Sequence, residues 1–483
     1  MYADLSRWLF QPERHYSRVV VQQGRVSLDS DANAQTSIQL HYLRTLATDL
    51  IGPAGGPSGQ VGFGITTATG AGQEGPTLDI APGRYYVDGL LCEAGGTAAI
   101  DYFQQPDGFL AEVAQYAALP EPPYLVWLKV WEQFISSVQD PSLREVALGL
   151  NGPDTTGRTR VVWQVLATPW PRQGGAVPQT GPAFYDGIWT KIQGMLFGPP
   201  TGTLMAQAVQ PQAAADACVV SPDSGYRGPE NQLYRVEIHQ GGTAGATPGP
   251  TFMWSRDNGS VILPITGISQ RDVSVTTLGR DPQLSVDVGN YVEIVDDAYA
   301  TQGQPGPIPR YAEPLHRVTA VDPVNLVVTL DAPPATNAGQ DQALHPYLRR
   351  WDQDEILVTK AGLTIDSQDQ AIDVVAGQWI DLEDGVQVQF SAGTYRAGDY
   401  WLIPARVITG NVEWPVDGLS QQALALPPQG LRYHIAPLAL VGAASTVDLR
   451  MEFPPRAALM SAGSAAAVPA ASRKPASRAK KKS

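Results

Sequence analysis

A mainly β fold built from several modules is predicted by three features of this 483-residue sequence. Short apolar runs of strand length recur along it, turn residues fall between those runs, and one long stretch near the start keeps a helical period. Gly (48) and Pro (41) make about 18% of the chain and are dispersed rather than gathered in tracts, a turn-rich pattern rather than a disordered one. With 43% hydrophobic residues, the length suffices for two to four domains with buried cores. The expected class is β-sandwich or barrel-like modules with one N-terminal amphipathic helix, an extended N-terminal arm and a disordered basic C-terminal tail.

The arm is residues 1–20, anchored by aromatics. Trp8, Phe10 and Tyr16 are the candidates for contact with a neighbouring subunit, the alternative being that the arm folds back on its own domain. "VVVQQGRVSLDSDANAQ" reads as strand, turn and strand. In "ANAQTSIQLHYLRTLATDLIG", Ile38, Tyr42, Leu43, Leu46 and Leu50 recur at spacings of three and four. That spacing predicts one amphipathic helix, with Asp29, Ser30 or Asp31 as N-cap and Gly52 just past its end. Arm and helix make up residues 1–60.

Residues 61–250 form the first β domain. "GRYYVDGLLCEA" is a hairpin turning at Asp88-Gly89. "YLVWLKVWEQF" and "RTRVVWQVLA" pair, both too apolar for edge strands. Residues 167–210, rich in Pro, Gly and Gln, read as a long strap with one helical patch near "AFYDGIWTKIQGML". "NQLYRVEIHQ" resumes a strand, alternating Leu233, Arg235 and Glu237 with Tyr234, Val236 and Ile238. Four or more short strands in 251–335 suggest an inserted small barrel or sandwich. Residues 336–455 form a C-terminal β region packing back on the first domain. Residues 456–483, biased to Ala, Ser and Lys, read as a disordered basic tail.

The net charge of -14 is uneven. Six of the 33 basic residues lie in 473–483, which leaves 27 against 47 acidic ones in the rest of the chain. Such a body repels nucleic acid and anionic membrane, so neither is an expected partner of it. Cys92 and Cys218 are far apart, each among apolar or small residues, and read as buried free thiols. No signal-peptide pattern opens the sequence and no window approaches eighteen apolar residues, so assembly in the cytoplasm without a membrane segment is expected.

Chemistry is hard to find. No HExxH, CxxC, phosphate loop or GxSxG elbow occurs, and no two of the six histidines are close in sequence. "LDSDANAQTSIQL" opens like a calcium loop, but Ala34 and Leu40 replace the turn glycine and the bidentate glutamate, so it reads as a polar helix start. Asp296-Asp297 and Glu383-Asp384 are adjacent acids that point to opposite faces of a strand, and Asp384-Gly385 reads as a hairpin turn. Trp127, Trp131, Trp163, Trp254, Trp351, Trp401 and Trp414 could form a sugar platform but sit mostly in apolar runs, which favours core packing. No catalytic, cofactor-binding or metal-binding residue is assigned, and no cofactor is implied.

The charged insertion between the two paired strands is the remaining candidate. Glu132, Arg144, Glu145, Asp154, Arg158 and Arg160 are expected to form a structural ion-pair network. Arg158 and Arg160 would return toward Glu132 or Glu145, and Gly149, Gly152 and Pro153 would shape the turn.

Several of these segments, in this order, resemble a domain family of unknown function: "RVVVQQGRVSLDSDANAQ", "GRYYVDGLLCEA", "YLVWLKVWEQFISSVQDPSLREVALGLNGPDTTGRTRVVWQV", "GYRGPENQLYRVEIHQGG", "FMWSRDNGSVILPI", "LGRDPQLSVDVGNYVEIVDDAYA", "LEDGVQVQF" and "GDYWLIPARVITGNVEWP". Members of that family are often encoded in gene clusters for phage-tail-like contractile injection systems, sometimes ahead of a fibre-like module. The resemblance spans about residues 5–450. It implies a non-enzymatic structural or accessory part of an injection particle, near the baseplate or fibres, partnered by other subunits and oligomeric within the assembly, with release as part of an extracellular particle left open. Two other readings come from the residues: a carbohydrate-binding or glycoside-acting β-protein, from the tryptophans and acids, and a cargo loaded in the tube, from the basic tail.

Overall fold

The computed structural model describes residues 1–69, 76–109, 117–149, 154–170, 184–198, 200–209, 225–279, 281–301, 313–360 and 362–454. Three bodies are nested along the chain like brackets. In the outermost, the strand Tyr124–Ile135 lies between His434–Val441 and Arg158–Pro169, with Thr446–Asp448 beyond. Tyr124–Ile135 is therefore central, and its near-continuous apolar run is buried on both faces. The hairpin Gly83–Val87 and Leu90–Ala94 belongs to a second sheet that shares the same core, where Phe63 meets Trp163 edge-on at 5.0 Å.

The middle body combines a five-stranded sheet centred on Gln232–Gln240 with a three-stranded sheet of Leu204–Ala208, Val386–Phe390 and Trp379–Asp381. Phe252 from one sheet and Phe390 from the other meet in the shared core at 4.8 Å. Inside this body is inserted a closed six-stranded barrel running from Ile262 to Trp351, lined by Leu263, Val273, Ile294, Val318, Val328 and Leu348.

These boundaries differ from those expected in sequence. Thr251–Ser255 belongs to the five-stranded sheet rather than to the insertion, and Tyr347–Trp351, beyond residue 335, closes the barrel. The 167–210 strap contains a sheet strand, Leu204–Ala208, and its helical patch is found at Tyr185–Phe197. Arg158–Pro169 is an edge strand despite its apolarity, because the segment after Tyr102 caps it. The Gln105 side-chain amide takes the Val165 N–H at 2.6 Å and donates to the Val165 carbonyl at 2.9 Å, standing in for one residue of a missing strand. The basic tail and Cys218 lie outside the described residues; Cys92 is buried and free, its thiol pushed up to about 12 by burial.

The N-terminal helix runs Asp29–Ile51. Its N-cap is Leu28, whose backbone N–H donates to the Asp31 carboxylate, while Asp29 accepts instead from Ser6 N–H at 3.0 Å and Ser6 Oγ at 2.5 Å. At the other end Gly52 has φ +93 and its N–H caps Thr48. The strands expected on either side of Gly24 do not form; the turn is present, and Val19 N–H donates to the Gln35 side chain. Gly89, at φ +77, lets the helix approach, since a Cβ there would lie 2.4 Å from the Arg44 carbonyl oxygen.

Candidate assembly surface and charged junction

Where the barrel meets the middle body, the strand Gln232–Gln240 has one apolar face in the core and one charged face. That charged face is also buried, because the barrel and the first residues of the chain cover it. Arg235 donates from Nε to Glu237 at 2.6 Å and from Nη1 to Asn258 and the Met1 carbonyl. Its guanidinium stacks between Tyr400 (3.7 Å) and Tyr2 (4.1 Å). Tyr2 is clasped from its second side by Arg349 of the barrel, 3.6 Å from the ring, and its hydroxyl donates to Glu237 at 2.8 Å. Arg349 in turn donates to Glu293 at 3.1 Å. Two arginines and two glutamates thus neutralise one another around one phenol ring.

A second ring of charge lies beside it. Arg350 bridges Asp257 and Asp352, each at 2.9 Å, and Arg256 holds Glu383 at 2.8 Å, with Tyr234 donating to the same glutamate at 3.1 Å. Three carboxylates share two guanidiniums. Burial pushes Glu383 up to about 7, Arg256 opposing and Asp352 and Asp384 adding to the rise. Asp257 is pushed up to about 6 by burial and by Asp352. Burial pulls Arg256 down, but Asp352 and Glu383 hold it above its ordinary value. Chemically this joint gathers three carboxylates and two guanidiniums between barrel and sheet.

Four of the six residues expected to form one ion-pair network have partners outside it, and two are bridged to each other. Glu132 is taken by Arg44 of the N-terminal helix in a two-pronged contact at 2.7 and 2.9 Å. Arg160 pairs with Asp107 at 2.8 Å, and Arg158 donates locally to Thr156 and to the Gly157 carbonyl. Glu145 accepts from the Ala147 N–H, and Arg144 and Asp154 form a backbone bridge. Arg158 and Arg160 therefore do not return to Glu132 or Glu145. The segment 102–108 and the helix, both distant in sequence, reach these charges first. Gly152 and Pro153 lie outside the described residues; Gly149 adopts φ +111.

The other candidates fall out as follows. Asp296 accepts from the Tyr299 and Gly339 N–H groups, whereas Asp297 contacts His345 and Gln139, so the adjacent acids diverge. Asp384 and Gly385 make the turn, at φ +47 and +82. Of the seven tryptophans considered for a sugar platform, all but Trp414 are buried. Among the described residues no group of three His, Cys, Asp or Glu could hold a metal, and no helix is long and apolar enough to cross a membrane. Two surface depressions, one with Gln60, Arg84 and Glu452 and one with Tyr291, Arg317 and Glu355 in their walls, contain neither Glu383 nor Asp257.

The arm is held at both its ends and exposed along its return. Ser6 is tied to Asp29, Arg7 to Glu413 at 3.1 Å, and the Phe10 ring lies 5.7 Å from that of His41. Trp8 and Phe10 are half-buried against their own chain, while Tyr16 is exposed. The chain then comes back along the helix with Val20, Val21, Val26 and Leu28 in solvent. Of the expected apolar stripe on the helix, Ile38 is buried, joined by Ser30 and Ala34. Tyr42, Leu43, Leu46 and Leu50 face outward, 54 to 77% exposed. The period is readable in sequence; the burial is not, because the body packs against the face bearing Ser30, Ala34 and Ile38 rather than the one bearing Leu43, Leu46 and Leu50.

No curated protein and no solved structure matches this chain. A family model described as a family of unknown function, DUF6519, matches residues 1–168 and 199–481. With nearly its whole length covered, the chain belongs to the DUF6519 family.

Proposed function

We propose that this protein is a non-enzymatic structural or accessory component of a phage-tail-like contractile injection particle, near its baseplate or fibres. The observation that carries a structural role is the outward apolar surface of arm and helix, which suits a protein that works by being packed against others. The charged junction supports the same reading. Its acids are each engaged by a guanidinium or a hydroxyl, and it fastens barrel to sheet. The injection-particle setting rests on the sequence resemblance alone. Expressing the gene with its neighbours and sedimenting the products through a density gradient tests it. Co-migration with sheath-bearing particles is expected, and recovery only in the light, particle-free fractions would count against it.

A further inference from the structure

We infer that the outward stripe of the N-terminal helix, with the returning limb of the arm, is the surface through which two copies of this chain associate across a two-fold axis. The inference rests on the structural reading above and names the partner of that surface. Leu43, Leu46 and Leu50 are spaced by three and four, with Tyr42 beside them, the ridge that one helix inserts into the grooves of another. Such a ridge is self-complementary when a second copy is turned end for end.

The exposed apolar area of helix and arm together is of the order an interface needs. At their observed exposures, Tyr42, Leu43, Leu46 and Leu50 with Tyr16, Val20, Val21, Val26 and Leu28 present on the order of 1,000 Å², and a standard stable interface uses about 800 Å² per partner. No described element covers the stripe: the helix meets the body through Ser30, Ala34, Ile38 and Arg44.

Charge points to the same occupant. Residues 1–28 hold four arginines against Asp4 and Glu13, and one of the four, Arg7, is already paired with Glu413. Arg14 and Arg18 on the arm, and Asp49 on the helix, have no ion-pair partner among the described residues. A second copy brings an acidic body and an unpaired helix acid to a basic, apolar arm.

Sedimentation equilibrium of the full chain at micromolar concentration tests this. A mass near twice 51.7 kDa is expected. Leu43→Glu with Leu46→Glu should weaken association by more than about a hundredfold, while Leu419→Glu, 97% exposed elsewhere, should leave it unchanged. Hydrogen exchange on the wild-type chain gives a readout that needs no variant. Protection of residues 36–50 and 19–28 should rise with protein concentration. A monomer at every concentration, or a dimer indifferent to the double substitution, overturns the inference. So does protection that is independent of concentration and lost when 455–483 are deleted, which would give the stripe to the chain's own tail. A monomer that still co-sediments with particles sinks this inference alone; a dimer absent from particles sinks only the injection-particle reading.

Discussion

The hydroxyl of Tyr2 donates to Glu237 at 2.8 Å, joining the second residue of the chain to the middle of a buried strand 235 positions later. Two guanidiniums clasp the same ring, one from the sheet and one from the barrel. Tyr2 is thus a pin through three parts of the molecule. Replacing it with Phe keeps both stacks and removes one bond to a buried carboxylate, a cost of about 1.5–3 kcal/mol. Replacing it with Ala also opens a cavity between the arginines and should cost roughly 3–5 kcal/mol. Urea unfolding checks the order; a Tyr2→Ala protein as stable as wild type would show that the pin bears no load.

Glu383 makes the junction sensitive to pH. Its folded value of about 7 lies above the ordinary 4.5, so the folded state holds a proton that the unfolded state has released. The stabilisation from this group is complete below about 4.5 and is lost as pH rises through 7, worth roughly 3 kcal/mol at most. Asp257 adds the same sign over a lower window, ending near 6. Melting temperature should therefore fall between pH 5 and pH 8, and Glu383→Gln should flatten that fall. An unchanged slope in the variant would place the titration elsewhere.

The outer edge of the strand Arg158–Pro169 is capped by Gln105 at Val165 and by the Tyr102 hydroxyl at the Ala167 N–H. Gln105→Ala removes two buried hydrogen bonds to Val165 and should cost about 1–3 kcal/mol. Amide exchange at Val165 should quicken, and the bared edge should raise the tendency to aggregate. Unaltered exchange at that amide would mean the segment after Tyr102 holds without the side chain.

Gly89 fixes how closely the helix sits. Gly89→Ala would place a methyl 2.4 Å from the Arg44 carbonyl oxygen at a backbone angle that L residues avoid, so the helix should lift and the Arg44–Glu132 pair should loosen. A loss of about 1–3 kcal/mol is expected, with limited proteolysis shifting to residues 29–51. Resistance equal to wild type would mean that contact is slack.

Periodicity and turn chemistry are local, which is why the β class, the helix, the Asp88-Gly89 hairpin and the Asp384-Gly385 turn could be read from sequence. Nesting is not local. The barrel closes with Tyr347–Trp351, and strands on both sides of it keep the same spacing, so no change of pattern marks the boundary. The charged residues were harder still. Arg235 and Glu237 alternate with apolar neighbours as on a solvent-facing strand, yet they are buried, and only the arrival of Tyr2 and Arg349 from afar makes that affordable. Glu132 was read with its neighbours in sequence, but its partner is Arg44 on the helix. The apolar helix stripe was legible as a stripe, while its direction depends on which face the body leaves free.

The central claim, that this chain acts by being built into an assembly, is tested most directly by its stoichiometry in purified particles. Quantitative mass spectrometry of gradient-purified particles should give a fixed, small-integer ratio of this chain to the baseplate proteins, unchanged between preparations and after high-salt washing. A ratio that varies between preparations, or falls to background on washing, would contradict the account.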